Sequence, residues 1–142
     1  MSETGLQAEK TEISRVIHDS IGWAGSKDKD LLYDCFARDA ELFWFSPADA
    51  GTTRGFEAFT ETVEGFFMHE DFQAVSYEVK ELEIQLSRSG DVAWWRCRLD
   101  DFNTWKGQPV NWDDIRWTGV LEKREGRWLI VQMHFSDPND RG

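Results

Sequence analysis

The chain has 142 residues, 27 acidic against 16 basic, and a formal charge of −11, a field that repels phosphate backbones and anionic headgroups and disfavours nucleic acid and membrane surfaces as partners. A hydrophobic content of 40% suffices for one compact core, and no window approaches the roughly 20 apolar residues of a membrane span. The opening MSETGLQAEK lacks the basic and apolar stretches of a secretory leader, which predicts a cytoplasmic protein.

Ile13, Val16, Ile17, Ile21 and Ala24 recur at three and four residues, which predicts an amphipathic helix from about Leu6 to Trp23, ended by Gly25. Ser26 is a plausible cap for a shorter helix carrying Leu31, Leu32, Cys35 and Phe36. Asp39 to Phe45 alternates as a strand, and a loop punctuated by Pro47, Gly51 and Gly55 follows. Helical spacing returns with Phe56, Phe59, Val63, Phe66 and Phe67. Beyond Phe72 the pattern is strand. Val75, Tyr77 and Val79 share one parity while Leu82, Ile84 and Leu86 share the other, so a bulge or bend is expected near Lys80 and Glu81. Strands from Val92 to Phe102, Val110 to Lys123 and Arg127 to Ser136 complete an antiparallel sheet, and residues 137–142 read as a frayed tail. This order gives an α+β domain, residues 1–142, with three helices packed on one face of a strongly curved sheet to make a cone.

Cys35 and Cys97 have no partner at disulfide-framework or zinc spacing, no two histidines stand at ligand spacing, and no metal site or cofactor is predicted. There is no nucleophile elbow and no Gly-rich phosphate loop. The chemistry gathers in the last strands. If Arg124, Glu125 and Gly126 form a three-residue hairpin loop, Lys123 pairs with Arg127, Thr118 with Gln132 and Arg116 with His134, and one face collects Arg116, Thr118, His134 and Ser136. The other face reads Trp117, Gly119, Leu121, Leu129, Val131, Met133 and Phe135, a core pattern. If the two preceding strands pair symmetrically about Lys106, Arg96 lies opposite Arg116 and Arg98 opposite Asp114, adding Trp94, Arg96, Arg98 and Asp114 to the polar face; a shift of one residue would put Trp95 and Cys97 there instead. One reading of this face is a charge network that holds the strands together. The other is a polar floor in an aromatic-walled pocket, with Arg116 or Arg98 anchoring a carboxylate or carbonyl oxygen and His134 acting as acid or base, held by Asp114 or Ser136. Asp100 and Asp101, adjacent on a strand, point to opposite faces and form no carboxylate pair.

The order of elements, the DAELFWF strand, the Gly-Phe-Glu-Ala-Phe start of the third helix and the closing GRWLIVQMHFS resemble the SnoaL-like branch of the nuclear transport factor 2-like superfamily. The ending carries the most specific likeness: Arg116 and Thr118 match an R-x-T pattern, Gly126 and Trp128 a G-x-W, and His134 and Ser136 a terminal H-x-S. It is also similar to the association domain of calmodulin-dependent kinase, where Arg98 and Leu99 find a counterpart. The resemblance implies a cone-shaped α+β barrel, and with it ketosteroid isomerases, polyketide cyclases, epoxide hydrolases or a non-catalytic assembly module as models of function. In the isomerases a carboxylate base projects from the first strand, and a tyrosine of the first helix and a protonated aspartate hold the dienolate oxygen. Here those positions fall on Trp44, near His18 and near Thr118, so the resemblance implies a pocket without that base.

Two expectations follow. One is a domain binding a small hydrophobic molecule, with Trp44, Trp94 and His18 joining Arg98, Arg116, Thr118 and Ser136 around it, and possible turnover of a hydrophobic carbonyl or polyketide-like compound. The other is a module for self-association or partner binding. Both predict a homodimer as the default oligomer, because three helices cover only one side of the long strands.

Overall fold

The computed structural model describes residues 2–138. Ser2 caps the first helix, α1 (Glu3–Gly22), its hydroxyl accepting from the Gly5 N–H at 3.0 Å, and the stripe Ile13, Val16, Ile17 and Ser20 is buried as the periodicity requires. A short 3₁₀ turn at Trp23–Gly25 leads to α2 (Lys29–Tyr33). Its cap is Asp28 rather than Ser26: the carboxylate accepts from the Leu31 N–H at 3.2 Å, while the Ser26 hydroxyl turns back to the Trp23 carbonyl. The expected first strand shrinks to β1 (Phe43–Phe45), which pairs antiparallel with the two-residue β2 (Thr53–Arg54). The third helix, α3 (Phe56–Thr62), widens into one π turn at Val63–Phe67.

Four long strands follow: β3 (Phe72–Leu86), β4 (Val92–Trp105), β5 (Gln108–Arg124) and β6 (Arg127–Ser136). With the first two they form a single six-stranded sheet in the order β2-β1-β6-β5-β4-β3, antiparallel throughout except for β1 beside β6. The helices lie on one face, giving the α+β cone that the sequence predicts. The parity flip in β3 is a bulge between Lys80 and Glu83, with Glu81 at φ 56°. Of the tail expected to fray, residues 139–142 lie outside the described residues.

Both hairpins close more tightly than the sequence reading has them. Glu125 and Gly126, at φ 52° and 79°, make a two-residue turn with Arg124 opposite Arg127, and Lys106 and Gly107 do the same with Trp105 opposite Gln108. A bulge then shifts each ladder once more, between Val120 and Leu121 in one and between Leu99 and Asp101 in the other. The resulting partners are Thr118 with His134 and Arg116 with Ser136, and Arg96 with Thr118 and Arg98 with Arg116. Ahead of the bulge the core side of β6 is Trp128 and Ile130, not Leu129 and Val131.

The core is aromatic. Trp44 packs against Phe36 and Phe59, and Trp95, Trp117 and Phe135 line the inner face of the sheet. Rings of this size bury about 150–250 Å² each, an upper bound of roughly 4–6 kcal/mol apiece. Both cysteines are buried, and desolvation pushes their thiols up to about 12. Glu9 on α1 fastens the helix to the last hairpin, its carboxylate accepting from Trp128 Nε1 at 2.5 Å and Lys123 Nζ at 2.9 Å. Trp95 owes its seat to Gly119, its partner across the ladder: a Cβ at Gly119 would lie 2.1 Å from Trp95 Cη2. Trp95, wedged edge-on to Trp117, has nowhere to go. Gly119→Ala is therefore expected to destabilise the fold by about 3 kcal/mol in urea unfolding. Adding Trp95→Leu should recover part of that loss, a coupling that additive effects would not give.

Candidate functional site

The polar cluster survives the corrected registers, and it faces away from the helices. Three cross-strand rows carry it on the outer face: Gln85, Trp94, Val120, Gln132 and Phe43; Glu83, Arg96, Thr118, His134 and Phe45; Lys80, Arg98, Arg116 and Ser136. Trp94, Arg96, Arg116, Thr118 and His134 are exposed. Much of the cluster is tied together internally. Lys80 Nζ sits 3.1 Å from both Asp100 and Asp114, Arg98 lies 3.6 Å from Asp114, and Arg116 donates to the Ser136 hydroxyl and the Asp137 carbonyl, each at 3.1 Å. The expected pairing of His134 with Asp114 or Ser136 is absent from this arrangement. Asp114 lies four residues along β5 from the row of His134, about 13 Å away, and Ser136 is taken up by Arg116. His134 instead has Phe45 as its ring neighbour, at 5.3 Å. Between the long side chains of β4 and β6, the short Thr118 and Val120 leave a trough of about 290 Å³.

Trp44 and His18 belong to the other side of the sheet. Trp44 is core, 8% exposed, held between aromatic rings where a ligand has no access to its face. His18 leaves α1 half-buried and meets Tyr77 of β3 edge-on at 6.1 Å. Tyr77 in turn lies opposite Asp101 of β4, and Asp101 opposite Trp112 of β5. This inner group contains the residue that sequence reasoning passed over. Asp101 is partly buried, and loss of hydration pushes its carboxyl up to about 6, against a small lowering by the Asn103 side chain. From Trp112 the aromatic surface continues through Phe135, 4.8 Å away, to Trp117, 5.4 Å further. The Trp117 indole N–H is buried without an acceptor among the described residues. Trp117 and Phe135 are buried, so the end of this strip within reach of another molecule is the one where Asp101 lies beside the exposed Tyr77. The strand parity of Asp101 was readable, but its burial depends on α1 and β3 closing over that end of the sheet. Among the described residues, no group of three or more His, Cys, Asp or Glu is placed to hold a metal ion.

The same architecture occurs in solved structures. A nuclear transport factor 2-like superfamily protein from Salmonella enterica superposes with a TM-score of 0.80 at 22% identity, covering 96% of each chain. A similar protein from Pseudomonas putida gives 0.70 at 20% identity, covering 95% of this chain and 90% of its own. The association domain of CaMKII from C. elegans gives 0.66 at 19%, covering 92% and 97%. At these identities the likeness is one of fold. Comparison with curated proteins gave no match. The model of the SnoaL-like domain matches residues 13–140, from the middle of α1 through the whole of the curved sheet, and the chain belongs to that family.

Proposed function

We propose that this domain binds a small, largely apolar molecule bearing an acceptor oxygen on the inner face of the cone, and that Asp101 exchanges a proton with it. The observation that carries this reading is the Asp101 carboxyl, lifted to about 6 by burial on a face otherwise made of Tyr77, Trp112, Phe135 and Trp117. A carboxyl titrating near neutrality can both give and take a proton, the property that general acid–base chemistry needs. The Tyr77 hydroxyl, on an exposed ring directly opposite Asp101, supplies a donor for a carbonyl or ether oxygen. A hydrophobic carbonyl compound fits both groups. The isomerase base has no counterpart, since Trp44 is core, so any proton transfer rests on Asp101.

The second reading is self-association as a homodimer. Its support is the outer face, where Trp94 and Phe45 are 44% and 46% exposed, together with the association domain among the structural relatives.

Three measurements test these readings. Because the folded pKa of Asp101 lies above its unfolded value of 3.8, the folded state holds the extra proton between about 4 and 6. Stability contributed by this group is therefore present below pH 4 and lost as pH rises through 6. Asp101→Asn should match the parent at pH 4 and exceed it by on the order of 2 kcal/mol at pH 8 in chemical denaturation; equal curves at both pH values would remove the perturbed carboxyl from the argument. Titration with 2-acetylnaphthalene should quench tryptophan emission saturably, and Trp112→Ala should weaken that binding about tenfold, whereas linear, collisional quenching would overturn the inner-face reading. In sedimentation velocity, a species of twice 16.6 kDa that Trp94→Glu dissociates would establish the second reading.

A further inference from the structure

We infer that the trough on the outer face of the sheet is a second, separate ligand site, one that takes a small planar aromatic carboxylate. Its shape follows from the register. Trp94 and Arg96 of β4 form one wall, Gln132 and His134 of β6 the other, and the β-branched Thr118 and Val120 of β5 the low floor between them. At about 290 Å³ the space is at the lower end of ligand sites, enough for one or two fused rings.

Its chemistry is unusual for this chain. The overall charge is −11, yet Arg96, Arg98 and Arg116 lie on adjoining rows of one face, and Arg98 is directly opposite Arg116. Like charges placed across a ladder repel. Arg98 and Arg116 are relieved by Asp114 and by Ser136 and the Asp137 carbonyl. Arg96 is not: among the described residues it has neither hydrogen-bond nor ion-pair partner, although Glu83 lies opposite it on β3. The site therefore offers one uncommitted guanidinium fork, the exposed Trp94 ring two residues along the same strand and the exposed Thr118 hydroxyl on the floor. A carboxylate on the fork, its ring against Trp94 and an oxygen on Thr118 would satisfy all three groups. Glu83 is the carboxylate that such an anion displaces from the neighbourhood of Arg96.

That last point gives the test its sign. In isothermal titration with 2-naphthoate, the protein should bind one anion per chain, more weakly as salt is raised. Arg96→Ala and Trp94→Ala should each weaken binding about tenfold, and Glu83→Gln should tighten it several-fold by removing a competing negative charge. All three positions are exposed, and unchanged circular dichroism will establish that the variants fold. Equal affinity for the neutral 2-naphthylmethanol, or weaker 2-naphthoate binding by Glu83→Gln, would overturn the inference. So would Arg96→Ala and Trp94→Ala that leave 2-naphthoate binding unchanged while dissociating a dimer, a result that assigns the face to a second copy. Loss of 2-acetylnaphthalene binding, which reads the inner face, bears on Asp101 and leaves this site untouched.

Discussion

One missing methyl group governs the interior of the cone. Gly119 has no Cβ, and the Trp95 indole crosses β5 in the space a side chain would fill. With Trp95 seated there, Trp117 stands edge-on to it and Phe135 stacks on Trp117, so the inner face beneath α1 is packed with ring atoms. Interiors at this density leave little room for a ligand. The cone is thus stiffened at its centre, and the polar groups of the inner face gather at the end where β3, β4 and the C-terminal part of α1 converge, at Tyr77, Asp101 and His18.

The same packing explains why the arginines are outside. A guanidinium on the inner face would have to be buried among indoles with few acceptors, at a desolvation cost of several kcal/mol. On the outer face Arg98 and Arg116 keep water and find oxygen partners at bulges and at the strand end. Asp114, held at φ 54° in the bulge of β5, donates its own N–H to Asp100 while its carboxylate serves Lys80 and Arg98. The bulge that breaks the ladder is therefore also where the charge network is knotted, a role bulges commonly have.

How much of this was legible in the sequence can be argued from the two hairpins. Assigning Arg124, Glu125 and Gly126 to a three-residue loop misplaced the register by one, and the bulge at Val120 and Leu121 displaced it by one more. The β4–β5 pair repeats this arithmetic, one residue at Lys106 and Gly107 and one at Leu99 and Asp101. Two displacements of one residue equal the period of a strand, so Arg116, Thr118, His134 and Ser136 share a face although none of the expected partners is correct. Alternation carries the face; it does not carry which face the helices cover. That depends on the long-range seat of α1, fixed by Glu9 on Trp128 and Lys123 more than a hundred residues away, and no local period records it. For this reason alternation gathers the polar residues on one face without telling that the face turns away from the helices, and the trough over Thr118 and Val120 is not legible in it.

Asp100 and Asp101 show what the sheet does to otherwise equal groups. They are adjacent, of one type, and the pleat sends them to opposite faces. Asp100, outward, accepts from the Asp114 N–H and Lys80, and these bonds hold its carboxyl below the usual carboxylate range. Asp101, inward between Tyr77 and Trp112, loses water and gains little, and its carboxyl rises to about 6. A difference of this kind arises from solvation and hydrogen bonding alone, without any change of residue. Near pH 6 the outer carboxylate is ionised and committed to the charge network, while the inner one is close to its midpoint. The sheet thereby separates a face suited to holding charge from a face suited to moving it.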